Sequence, residues 1–187
     1  MIAYDNIALL SNSFSGKGHS SSIINSILKK LEKLNLTITH FQDQWPHDLS
    51  VYTAVWIVGG DGTLNYFLNK YPSCSIPISI FPGGTGNDFH WKVYGKISID
   101  EQIEAILKKR TMYIDIGKCN EEYFINTVGL GFDGEVLKDM KKVRKIGGHL
   151  GYLLIVLKNI FTYREKRYFI TKDENKAFET EAMLCII

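Results

Sequence analysis

Along the first hundred residues, short unbroken apolar runs alternate with longer stretches in which apolar residues recur every three or four positions. The run Ile7 to Leu10 is too short for a helix and is bounded by polar residues, so it predicts a strand. Ile23, Ile24, Ile27, Leu28, Leu31 and Leu34 then fall on one helical face, with Lys29, Lys30, Glu32 and Lys33 largely on the other. Leu36 to Phe41 predicts a second strand. Ala54 to Val58 predicts a third, of the continuous apolar kind that a parallel strand covered on both faces shows. Thr63 to Lys70 reads as a short helix and Ile76 to Phe81 as a fourth strand. Ser98 and Glu101 form a capping box ahead of Ile99, Ile103, Ile106 and Leu107, which predicts a helix over 99–109.

Beyond residue 110 the rhythm changes. Tyr113 to Ile116 and Tyr123 to Val128 read as a strand pair turning at Asn120 and Glu121. A polar helix, Gly134 to Lys142, and an apolar one, Leu150 to Ile160, follow. Arg167 to Thr171 and Phe178 to Ile187 predict two late strands. The expected fold class is α/β: an open parallel-sheet nucleotide-binding domain over 1–115, then over 116–187 the opening of a β-rich sandwich domain that is incomplete in this chain. The last residues, Met183-Leu184-Cys185-Ile186-Ile187, lie in an apolar strand without a polar cap, an ending that reads as interrupted.

Three of the predicted strands run directly into turn-rich segments: Asn12 to Gly18, Gly59 to Thr63, and Gly83 to Asp88. Backbone amides at tight turns and helix N-termini are fixed donors for anions, and glycine lets the backbone approach phosphate closely. In a parallel sheet the strand C-termini share one edge, so the three segments are expected to converge on one crevice. Neither common phosphate fingerprint fits. Gly16-Lys17-Gly18 lacks the spacing of a P-loop, and no turn reads GxGxxG after its strand.

The arrangement resembles the catalytic domain of the diacylglycerol kinase family, and within it the bacterial soluble lipid kinases. The residues that carry the likeness are Gly59-Gly60-Asp61-Gly62-Thr63-Leu64-Asn65, Gly83-Gly84-Thr85-Gly86-Asn87-Asp88-Phe89 and the preceding Asn12-Ser13-Phe14-Ser15-Gly16-Lys17. Ile114-Asp115-Ile116-Gly117, Phe124-Ile125-Asn126 and Gly131-Phe132-Asp133 extend it over essentially the whole chain. The GGDGT turn is shared with NAD kinases, and the GTGNDF turn is what discriminates. The resemblance implies transfer of the ATP γ-phosphate to a lipid hydroxyl of diacylglycerol type, with Mg²⁺. It further implies that Asn12, Ser13, Phe14, Ser15 and Gly16 line the nucleotide. Gly59, Gly60, Asp61, Gly62 and Thr63 would cradle its phosphates, and Gly84, Thr85 and Asn87 would complete the pocket. Asp61 and Asp88 are the candidate Mg²⁺ ligands, because a carboxylate among phosphate-binding amides needs an intervening cation. Asp61 has the alternative of a turn-forming residue, and Asp88 of a helix N-cap.

Two departures stand out. Gln42 occupies a position where related kinases often have a small hydroxyl residue. The acidic cluster and general base of the family are expected beyond residue 187, so the intact protein would be needed for full catalysis. Asp133-Gly134-Glu135 imitates the Asp-Gly-Glu of that base but matches an earlier family segment by order. Alternatives are a soluble NAD kinase relative and a non-catalytic nucleotide-binding fragment.

Composition narrows the classes. The 187 residues are 45% hydrophobic and 22% charged, enough to bury a core, and 22 Lys and Arg against 20 Asp and Glu leave +2, which does not suggest nucleic acid as a partner. Cys74, Cys119 and Cys185 show no metal or disulfide spacing, as expected of a reducing cytoplasm. The apolar run Ile146 to Leu157 is well short of the about 20 residues that cross a bilayer. Lys138, Lys141, Lys142, Arg144 and Lys145 before it, with Arg164, Lys166 and Arg167 after it, suit either a core helix with solvated ends or an anionic membrane surface. The expected setting is cytoplasmic, peripheral at the inner membrane face, with a lipid alcohol as substrate. Homodimerisation is left open.

Overall fold

A computed structural model describes residues 5–13, 15, 19–108, 111–143, 148–171 and 177–186. The chain divides into two compact units, one ending at Asn126 and one beginning at Thr127.

The first unit is built on four parallel strands: β1 (Asn6–Ser11), β2 (Thr37–Gln42), β3 (Ala54–Gly59) and β4 (Ile78–Pro82), in the order β2-β1-β3-β4. Strand β1 is followed by α1 (His19–Lys33), β3 by α2 (Asp61–Lys70), and β4 by α3 (Asp88–Tyr94) and α4 (Ile99–Leu107). The continuous apolar runs have the expected cause: both sheet faces are covered. Ile7, Leu9, Ala54, Trp56 and Val58 pack on one face with Ile24, Ile27 and Leu31 of α1 and Ile103 and Ile106 of α4. Ala8, Leu10, Val55 and Ile57 pack on the other with Trp45, with Leu64, Phe67 and Leu68 of α2, and with Phe89 of α3. The predicted capping box is present: Ser98 Oγ accepts the Glu101 amide while Glu101 accepts the Ser98 amide.

Several expectations shift. Helix α2 starts at Asp61 rather than Thr63, so the glycine turn is continuous with the first helical turn. Helix α3 follows the GTGN turn, a helix that periodicity did not indicate. The predicted strand Tyr113 to Ile116 is irregular and exposed. The hairpin instead pairs β5 (Gly117–Cys119) with β6 (Glu122–Phe124), and a Cβ on Gly117 would overlap the Phe124 ring. Because Tyr123 and Ile125 pack against the second core cluster, this hairpin belongs with the first unit, and the division falls after Asn126 rather than at 115/116.

In the second unit, β7 (Gly129–Gly131) runs into α5 (Phe132–Val143), followed by α6 (Gly148–Thr162). The late strands are β8 (Lys166–Ile170), paired antiparallel with β9 (Phe178–Ala182), and β10 (Leu184–Ile186), paired antiparallel with β7. The predicted strand from Phe178 onward is therefore broken at Met183, whose carbonyl accepts the Phe132 amide. Of the basic edges foreseen around α6, Lys138 and Lys166 pair with Glu135 and Arg167 pairs with Glu179 and Glu181; on the helix itself Lys158 pairs with Asp139. Arg144 and Lys145 lie outside the described residues. Helix α6 also exposes Leu153, Leu154, Leu157, Ile160 and Phe161.

Candidate functional site

Because β2 lies on one side of β1 and β3 on the other, the chain reverses direction across the sheet between β1 and β3. In open α/β sheets the crevice beyond the strand C-termini at such a reversal is the usual ligand site. The three segments singled out in the sequence meet at this edge, and hydrogen bonds join them. The Gly83 amide donates to the Gly59 carbonyl at 3.0 Å, tying the β4 turn to the β3 turn. Ser15 Oγ and Ser20 Oγ both donate to the Gly83 carbonyl at 3.0 Å, tying the β1 segment to the same point. The Ser13 amide donates to Asp43 Oδ1 at 2.8 Å, just past β2. Phe14, Gly16, Lys17 and Gly18 lie outside the described residues. Asn12 is half-buried, with its carbonyl accepting the Ser15 amide, and Gln42 is exposed at the end of β2.

Glycine is required where the two turns touch. A Cβ on Gly84 would stand 2.4 Å from the Gly60 Cα, and one on Gly59 would stand 2.5 Å from Thr63 Oγ1. No side chain separates the turns. Gly62 is the opposite case: nothing lies within 4 Å of where its Cβ would be, so the first turn of α2 faces open space. That end of α2 has no side-chain cap, since its N-cap is Gly60. Its partly positive N-terminus is thus available to an anion. Thr63 is buried, whereas Thr85 is exposed at the tip of the β4 turn.

Two candidate side chains do structural work. Asn87 sits at the N-cap position of α3 with φ 60° and does not cap it. Its amide closes the glycine turn instead, accepting from the Gly84 amide at 2.7 Å and donating to the Gly84 carbonyl at 3.0 Å. The missing cap comes from Asp61 in the other turn. Asp61 Oδ2 accepts the Asp88 amide at 3.1 Å, and Oδ1 accepts the Phe89 amide at 2.9 Å and Asn126 Nδ2 at 3.2 Å. Partial burial pushes the Asp61 carboxyl upward, but these hydrogen bonds outweigh it and hold its pKa below the ordinary value. Asp88 is the first helical residue, one place after the cap position, and its carboxylate is exposed. A Cβ on Gly86 would lie 3.5 Å from Asp61 Oδ2 and 3.8 Å from Asp88 Oδ2, so both carboxylates border one small volume.

Motif reading did not single out Asn69, Ser20 or Trp91 as site residues. Trp91 Nε1 donates to the Gly86 carbonyl at 3.1 Å, bracing the turn from inside α3. An amide at the far end of a helix and an indole outside a glycine motif carry no spacing signal.

A four-stranded parallel sheet whose strand-end glycine turns meet beside an uncapped helix N-terminus defines an open α/β domain with main-chain donors gathered at one edge. The family model described as the diacylglycerol kinase catalytic domain matches residues 6–119, and the chain belongs to that family. A protein from Staphylococcus carnosus named diacylglycerol kinase is 28% identical over 159 residues, covering 78% of this chain and 52% of that protein. The crystal structure of a diacylglycerol kinase from Bacillus anthracis superposes with a TM-score of 0.67 at 24% identity, over 100% of this chain and 64% of that one. The chain thus spans about half the length of the curated relatives it matches.

Proposed function

We propose that this protein transfers the γ-phosphate of ATP to the hydroxyl of a lipid alcohol of diacylglycerol type. The observation that carries the reading is the single strand-end edge at which the β1, β3 and β4 turns are hydrogen-bonded together, with the uncapped start of α2 and two carboxylates beside it. Phosphoryl transfer asks mainly for positioning and charge neutralisation, which main-chain donors and a cation supply. The donor set fits both groups. The open space over Gly62 leaves a polyphosphate room to reach the first amides of α2. Asp61 Oδ2 and Asp88 Oδ2 offer the few hard oxygens that Mg²⁺ takes alongside its retained waters. When bound, Mg²⁺ supplies neutralisation of phosphate charge. The chain's own part is to orient the phosphates through the turns at 59–63 and 83–86 and to hold Asp61 ionised. The general base is assigned to no residue of this chain.

A lipid acceptor requires meeting a bilayer surface. Among the described residues no helix is long and apolar enough to cross one, and the apolar stripe on α6 supports a peripheral encounter. The test is an assay of a polypeptide matching the relatives' full length, with Mg²⁺-ATP and either mixed micelles of diacylglycerol or soluble NAD. Lipid phosphorylation that falls about a hundredfold in Asp88→Asn, with unchanged unfolding, supports the reading. Phosphorylation of NAD alone, or nucleotide binding without transfer to either acceptor, overturns it.

A further inference from the structure

Helix α2 carries Asp61 in its first turn and Asn69 in its last, about two helical turns or roughly 12 Å apart. The chain from Tyr123 to Asn126, which reaches about 10 Å when extended, is fastened to the helix at both ends. At one end Asn69 treats Tyr123 as a neighbouring strand would. Its Oδ1 accepts the Tyr123 amide at 2.8 Å and its Nδ2 donates to the Tyr123 carbonyl at 2.9 Å. A second donation from Nδ2 to the Asn65 carbonyl, also 2.9 Å, lays the side chain along the helix. At the other end Asn126 Nδ2 reaches Asp61 Oδ1, the oxygen that also accepts the Phe89 amide. Among the described residues β6 pairs with β5 alone, and on its outer edge the Asn69 side chain takes the place of a strand partner.

We propose that Asn69 and Asn126 are positioning residues for Asp61. Asn69 places the 123–126 segment, Asn126 fixes the carboxylate, and the carboxylate holds the first turn of α3 beside the exposed Thr85 and Asp88. Neither asparagine touches the reacting groups. The kinetic part of this inference rests on the phosphoryl-transfer reading, whereas the structural part stands without it.

Amide hydrogen exchange on residues 1–187 tests the structural part. Asn126→Ala and Asn69→Ala should each speed exchange at the Phe89 amide about tenfold, and the double variant should add little, since both act on one path. A merely structural Asn69 would loosen only the β5–β6 hairpin. An unchanged Phe89 amide in both variants overturns the proposal, and Asn126→Ala, an exposed site, decides if Asn69→Ala unfolds the hairpin. In the lipid kinase assay both variants should lower kcat about tenfold with KM for ATP unchanged. Unchanged kcat alongside faster Phe89 exchange overturns the positioning role. A wild-type protein that transfers no phosphate defeats the functional reading, and the exchange result then still judges the relay.

Discussion

At the scale of single residues, Gly84 and Gly62 pull in opposite directions. Gly84→Ala puts a methyl against the Gly60 backbone, which has no flexible side chain to move aside, and should cost about 1–3 kcal/mol in urea unfolding. Gly62→Ala enters open space at a helical position and should stabilise by about 0.5–1 kcal/mol in the same measurement. Equal effects at both positions would show that the two turns do not touch. Both glycines belong to motifs legible in the chain. What no local pattern discloses is which of them is pressed against another backbone, because that depends on the approach of β3 to β4. The role of Asp61 was hidden for the same reason, since it bonds from one turn to the other, whereas Asn87 closes its own turn by bonding to Gly84 three residues back.

At the scale of elements, α3 depends on what surrounds it. His90, 1% exposed, has its Nε2 within 3.0 Å of Gln102 Oε1 on α4, and Gln102 Nε2 donates to the Ile80 carbonyl on β4 at 2.7 Å. Tyr94 and Trp91 pack against the imidazole ring. Burial lowers the His90 pKa, and the Gln102 hydrogen bond opposes this only in part. The unfolded chain therefore takes up a proton on His90 before the folded one does. Stability from this group is complete above the unfolded value of 6.5 and is lost as pH falls from there through the lower folded value. Urea midpoints measured from pH 7.5 to 5 should fall less in His90→Gln than in the wild type, and parallel curves would refute the assignment. Strands β1 to β4 and helices α1, α2 and α4 were legible because their apolar runs and apolar period are regular. Helix α3 was not: it has seven residues, an αL asparagine at its cap position and a capping carboxylate from another turn. Strand β7 hid behind its glycines, and the segment at exposed Tyr113 read as a strand where the backbone is irregular.

At the scale of the molecule, both apolar clusters lie within the first unit, and so do all the residues that join the strand-end turns. A fragment ending at Asn126 should therefore unfold cooperatively and protect the Phe89 amide as the longer chain does. Loss of a cooperative transition in that fragment would show that the second unit is needed to hold the sheet together. The broad plan of the first unit followed from alternation of strands and helices. The end of that unit was misplaced because a hairpin of short strands is assigned by its packing on α2, which the chain order does not express.

Asp61 and the helix it caps are 27 positions apart, with β4 between them. The GTGND segment is thus not portable. Grafted alone onto a foreign scaffold it would leave behind the group that starts its helix, and the smallest transplantable piece is the pair of turns together with the two strands that deliver them.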